Sequence, residues 1–380
     1  MADVQGSSLP KDLNIHKNLD RPIQSVSDYI QRVSEYIESR REERHFFVYR
    51  GEPELYPSPC RPGLFRMGAL TEHPFFEKNL FDAMRQNKLT GDRSYLDNAI
   101  DAQHGEFPSR LLDVSYNCLT ALYFAVTPYY HRDEAELDDK DGMVFVFFLD
   151  EIFSPSAENI NENYNAIVNQ DSPWNQEFLF RKNWKFIDHT KLNDRISAQQ
   201  GAFILFQGDE AEALPSGIFY GICIPGQAKK RLREELKQLF GIHTGSIYPE
   251  IINLVKELSG KSGRIYTRPF TCENELRYTL SQLKRELDYY LDYAVSHKQK
   301  GASEDTLQQI LVDVGKVINS YREGLVHMAQ NPSVWEQELT PKQMEDIVRG
   351  YNGELDRFSR SAGQYGLGHF AAEKLKIELG

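Results

Sequence analysis

His45-Phe46-Phe47-Val48-Tyr49-Arg50-Gly51 is a run of aromatic and β-branched bulk that ends in a guanidinium and a glycine. The absence of polar alternation in Phe46–Tyr49 predicts a buried strand. An arginine at the end of a buried strand is costly without an anionic partner. A glycine directly after it lets backbone or ligand come close. Two readings of Arg50 follow: a guanidinium that grips phosphate bidentately, or one paired with an internal carboxylate. Past Gly51 the chain enters a loop punctuated by Pro53, Pro57, Pro59 and Pro62.

On the N-terminal side, Tyr29, Ile30, Val33, Tyr36 and Ile37 recur at helical spacing between Ser25 and Arg41, with Ser25 or Ser27 as the cap. On the C-terminal side, Phe75 to Asn87 reads as a helix with Phe76, Leu80 and Met84 on one face. Leu119 to Val126 is apolar nearly all round, which predicts a buried helix. Asp133 to Asp141 is an acidic loop, and Met143 to Leu149 is the clearest central strand. Asn159, Asn161, Asn163 and Asn165 predict irregular structure within residues 151–195. Phe203 to Phe206 and Ile218 to Ile224 read as strands, and Lys229 to Phe240 as an amphipathic helix.

After about Lys261 the strand-like runs stop. Leu283, Leu287, Tyr290 and Leu291 line one helical stripe, and Leu307, Ile310, Leu311, Val314, Val317 and Ile318 another. Thr340-Pro341-Lys342-Gln343 is a helix start with a capping-box glutamine. The division expected is a loose tail at 1–22, a first domain at 23–260 and a helical region at 261–380. The fold class expected is α+β. A split, mixed β-sheet domain with flanking helices, its cleft near Arg50, precedes an all-helical C-terminal region. Tyr289, Tyr290, Tyr293, Tyr321 and Tyr351 fit the inner face of a bundle or an interface, including one between copies of the chain.

The 380 residues are 40% apolar and 26% charged, an ordinary globular balance. The net charge of −12 argues against a large non-specific nucleic-acid footprint and leaves room for a local basic groove. Cys60, Cys118, Cys223 and Cys272 are widely spaced, so neither a metal site nor a disulfide framework is expected. Residues 1–10 hold no apolar run of signal-peptide length, and no stretch reaches membrane-span length. A cytoplasmic protein without membrane contact is the expectation.

Two further segments concentrate polar chemistry. Gln103 to Ser115 packs His104, Ser109, Arg110, Asp113 and Ser115 just before the buried helix. Groups this dense must satisfy one another or bind something, and Arg110 and Asp113 are near enough in sequence to pair locally. Gln199-Gln200-Gly201 precedes a strand, where an amide can meet a ribose hydroxyl or a base edge, or simply face water.

Together these segments resemble the FRG domain, a family named for a Phe/Tyr-Arg-Gly motif. The matching residues are Tyr49-Arg50-Gly51, Pro62-Gly63-Leu64-Phe65-Arg66, Glu77, Gln103-His104-Gly105 and Pro108-Ser109-Arg110-Leu111-Leu112-Asp113. Ala121-Leu122-Tyr123-Phe124-Ala125, Gln199 or Gln200 before Gly201 and Phe203, Gly241-Ile242 and Ile247-Tyr248-Pro249 complete the order. The resemblance spans about residues 40–258. It departs at Ser109, where the family has threonine, and at Val114-Ser115, where it has Trp-Thr.

A strand ending in Tyr-Arg-Gly is also similar to the first motif of mono-ADP-ribosyltransferases. That resemblance implies NAD as substrate, with Tyr49, Arg50, Gly51, Ser109 and Arg110 as binding residues. Asp113-Val114-Ser115 before the apolar helix is similar in order to the second motif. The third motif brings a glutamate, whereas Gln199, Gln200 or Gln207 stands here. An amide offers no charge to a developing cation, which forfeits transition-state stabilisation. The catalytic set implied is therefore Arg50, Asp113, Ser115 and Gln200, with Glu77, Glu52 or Asp113 supplying the carboxylate and His104 a base or a partner for the nicotinamide. An ADP-ribosyltransferase or NAD glycohydrolase with a protein or nucleic-acid acceptor follows, chemistry that fits a bacterial toxin or anti-phage effector. A non-catalytic nucleotide or nucleic-acid binding module, or a protein-interaction scaffold, are the alternatives.

Overall fold

The computed structural model describes residues 22–40, 45–67, 70, 73–90, 93–103, 107–171, 177–188, 194–210, 213–335, 337–367, 370 and 373–376. Of the expected tail only Pro22 is among them, and His104 lies outside the described residues. The chain forms two compact units, Met1–Gly263 and Arg264–Gly380.

The first unit is built on β1 (Phe46–Glu52), β2 (Leu111–Ser115), β3 (Gly142–Leu149), β4 (Lys185–Ile187), β5 (Gly201–Leu205) and β6 (Phe219–Ile224). They form one six-stranded sheet in the order β4-β5-β2-β1-β3-β6. With the helices of this unit and the helical second unit, the class is α+β. The expected mixture of strand directions is corrected, because all five strand pairings are antiparallel. The strands form one continuous sheet rather than a split one. β1 pairs with β3 over seven positions but with β2 only at Tyr49↔Ser115. Arg50 and Asp113 lie where that short ladder ends.

The Phe46 strand runs through Arg50-Gly51 to Glu52 rather than stopping before them. Gly51 explains why. A Cβ there would lie 1.8 Å from the Ala121 carbonyl oxygen and 2.7 Å from the Ala125 nitrogen. At Gly142 a Cβ would lie 2.3 Å from the Ala125 carbonyl oxygen. The apolar helix, Cys118–Val126, therefore packs its backbone against the sheet over two glycines. Close helix–sheet packing accounts for the glycine of the motif.

The core lies on both faces of the sheet. Tyr29, Leu122, Val126, Val146, Leu232 and Leu236 are buried together on one, and Val48, Leu64, Leu112, Phe145 and Phe147 on the other. Ser25 caps the Val26–Ser39 helix with a full capping box. The asparagine-rich stretch is a helix, Glu158–Asn169, rather than irregular chain. Ile160, Tyr164, Ile167 and Val168 are its buried stripe, and that burial outweighs the weak helix propensity of asparagine.

The second unit has three long helices, Cys272–Gln299, Glu304–Ala329 and Pro341–Gln364, capped by Thr271, Ser303 and Thr340. Leu283, Leu287, Val314, Ile347, Tyr351 and Phe358 form its core. Its tyrosines divide: Tyr351 is buried and donates to the Ile318 carbonyl at 3.2 Å, whereas Tyr289 and Tyr293 are exposed and stack on each other. Among the described residues no helix is long and apolar enough to cross a membrane.

Candidate functional site

A cavity of about 350 Å³ opens beside the short β1–β2 ladder. Tyr49, Arg50 and Gly51 all line it. Neighbours on a strand point to opposite faces: Tyr49 is buried in the core on one face of the sheet, and Arg50 carries its guanidinium to Asp113 on the other. Arg50 Nε donates to Glu52 Oε1 at 3.0 Å, and Nη1 donates to the Asp113 carbonyl oxygen at 2.8 Å. The guanidinium thus bridges the strands where backbone pairing ends.

Four arginines line the cavity among the described residues: Arg50, Arg66, Arg132 and Arg195. Two carboxylates, Glu52 and Asp113, stand against them. The wall is cationic in a chain whose net charge is −12. Arg195 seats its guanidinium over Tyr248, 4.5 Å from the ring centre, and also near Tyr130 and Tyr129. Its Nη1 lies 3.6 Å from Glu250 Oε1. Arg66 lies over the Tyr56 ring at 5.2 Å. Tyr49, Tyr56, Phe124, Tyr129 and Tyr248 provide the aromatic part of the lining.

Asp113 is open to solvent in the cavity, yet protein surrounds it closely. Burial raises its carboxyl above the ordinary aspartate range, while Arg50 and Arg195 pull it back down. Burial pushes the Tyr129 hydroxyl up to about 12, so that phenol is neutral at physiological pH.

The rim is fastened from below. Lys229 is fully buried, and its Nζ donates to the carbonyl oxygens of Pro53 at 2.6 Å and Leu137 at 2.7 Å. Desolvation brings its pKa down to about 8. The two segments it joins are the one after Glu52 and the acidic loop after Arg132.

Other residues expected at the site are elsewhere. Arg110 is buried and not part of the lining. Its Nε donates to Glu77 Oε2 at 2.7 Å, and Nη1 contacts the carbonyl oxygens of Phe206, Gln207 and Gly208 at 3.0–3.3 Å. Glu77 Oε1 accepts from the Tyr164 hydroxyl at 2.9 Å. Arg110 and Glu77 thus form a buried pair, not a phosphate grip and a catalytic acid. Ser109 Oγ accepts from Gln103 Nε2 and from the Leu111 nitrogen, shaping the turn into β2.

Ser115 touches the cavity, but its Oγ donates to the Gln199 carbonyl at 2.7 Å. Gln200 is exposed, takes a left-handed φ of 48° and stays out of the lining. Gln199 lines the cavity in its place, with Nε2 donating to the Ile247 carbonyl at 3.2 Å. Gln207 is buried and bonded to the carbonyls of Phe180 and Asn183.

Sequence reasoning does not identify Arg195, Arg132 or Tyr129. Arg195 stands four residues before Gln199 in the Asp194–Gln199 helix, so the two share a face. That spacing is the available signal. Among the described residues no group of three or more His, Cys, Asp or Glu side chains is placed to hold a metal ion.

No curated protein and no solved structure gives a significant match to the chain. The family model of the FRG domain matches residues 45–134. That span holds Arg50 and Gly51 on β1, the buried Glu77–Arg110 pair, Asp113 on β2 and the helix packed over Gly51. Gln199, Arg195 and Tyr248 complete the cavity from beyond it. The Tyr-Arg-Gly strand and its supporting pair both lie inside the span that matches the FRG domain.

Proposed function

We propose that the cavity beside Arg50 binds NAD and cleaves its nicotinamide–ribose bond, passing ADP-ribose to water or to a protein or nucleic-acid acceptor. The observation that carries this reading is Asp113, a carboxylate open to a cavity lined by four arginines. Arginines suit the diphosphate, and aromatic rings suit the planar bases. Asp113 takes the role left vacant by Gln199 and Gln200.

In the step proposed, the bond between ribose C1′ and the nicotinamide nitrogen breaks. Its electron pair stays on that nitrogen and neutralises the pyridinium. The ionised Asp113 stabilises the oxocarbenium left on the ribose. The acceptor hydroxyl, or water, bonds to C1′ and gives its proton to Asp113. A carboxyl raised above its ordinary range is a better proton acceptor for this purpose. Loss of NAD through such a site would harm the cell containing it, which fits a toxin or an anti-phage effector.

Purified protein incubated with NAD is expected to release nicotinamide. Asp113→Asn is expected to slow release by about 10²–10³-fold, and Arg50→Ala to abolish measurable release while the fold persists. The acid limb of the pH–rate profile is expected above the ordinary aspartate value of 3.8, because the base works only when ionised. An Asp113→Asn variant as active as the wild type would sink this assignment. NAD binding without release, with and without lysate as acceptor, would favour a non-catalytic nucleotide module. The amide at Gln199 and the prior engagement of Arg50 support that second reading.

A further inference from the structure

We infer that Glu52 receives a ribose hydroxyl of the bound nucleotide, so that the site takes phosphorylated ribosides and discriminates against bare polyphosphate. This rests on the nucleotide reading of the cavity and adds the feature that selects the ligand. Glu52 lines the cavity, with its side chain 1% exposed. Oε1 accepts from Arg50 Nε and from the Cys60 nitrogen, both at 3.0 Å, and lies 3.7 Å from Arg66 Nη2. Oε2 is buried and has no hydrogen-bond partner among the described residues.

A buried acceptor without a donor costs free energy and is rare in native proteins. Phosphate oxygens facing the arginines are acceptors and do not satisfy it. A hydroxyl does. Glu52 is bonded directly to Arg50, so an anion on Arg50 and a donor on Glu52 belong to adjacent parts of one ligand. A sugar phosphate has that arrangement. Arg66 is the most exposed of the groups around this carboxylate, at 42%, and is the side chain best able to shift as the ligand enters.

The test is calorimetric titration of the full chain with ADP, 2′,3′-dideoxy-ADP and pyrophosphate. The wild type is expected to bind ADP at least about tenfold more tightly than the dideoxy compound. Glu52→Gln is expected to narrow that ratio and to leave pyrophosphate binding unchanged or tighter, since one negative charge beside Arg50 and Arg66 is gone. Equal affinity of the wild type for ADP and dideoxy-ADP overturns the inference, and this comparison stands even where Glu52→Gln does not fold. Equal weakening of all three ligands by Glu52→Gln also overturns it, because Glu52 would then only position Arg50. ADP binding that depends on the hydroxyls without nicotinamide release from NAD overturns the proposed reaction and upholds the inference. No binding of ADP overturns both.

Discussion

Arg110→Met is expected to destabilise the first unit by about 3–5 kcal/mol, the range for breaking a buried ion pair from one side. The substitution leaves Glu77 buried beside Tyr164 without its cation and removes a donor from the carbonyls of Phe206, Gln207 and Gly208. Glu77→Leu alone is expected to cost a similar amount. The double variant is expected to recover much of the loss, because neither charge is then stranded. Chemical denaturation of the four proteins measures the coupling. An unchanged midpoint in Arg110→Met together with lost nucleotide binding would return Arg110 to the ligand site.

Gly51→Ala is the second large effect. The added Cβ meets backbone atoms of Ala121 and Ala125, not the end of a flexible side chain. The helix and β1 must move apart, and the sheet beside the cavity moves with them. The cost is expected at or beyond the top of the usual overpacking range of about 1–3 kcal/mol. Gly217→Ala is the control, since nothing lies within 4 Å of a Cβ there, and it is expected within about 0.5 kcal/mol of the wild type. Thermal unfolding of the two variants makes the comparison. A Gly51→Ala protein as stable as the Gly217→Ala protein would remove close helix–sheet packing as the reason for this glycine.

These two positions show how the motif divides. Tyr49-Arg50-Gly51 is legible as a unit, but its residues do different work. Arg50 extends its guanidinium at the cavity, while Gly51 admits a helix. The local pairing expected between Arg110 and Asp113 fails for a reason the sequence contains. Three residues apart along an extended segment, their side chains point to opposite faces. Arg110 turns into the core and Asp113 into the cavity.

Glu77 reads as a candidate catalytic carboxylate because it is charged and lies in the FRG pattern. Its place on the buried face of the Phe76–Gln86 helix follows from Arg110, 33 positions later. Arg195 and Gln199 depend on a short helix whose position is set by the Ser115–Gln199 hydrogen bond and by Tyr248 beneath the guanidinium.

By itself the sequence determined what periodicity and composition encode: the strands at Phe46–Tyr49 and Met143–Leu149, the buried helix after Asp113, the helical stripes after Lys261 with the cap at Thr340, and the Tyr-Arg-Gly motif. Those are local properties, since side-chain spacing and burial preference act within one element. Only the tertiary structure decided which charged residues pair in the core and which face the cavity. That depends on contacts between residues tens of positions apart and on the short β1–β2 ladder, whose single paired position leaves Arg50 to bridge the two strands beyond it.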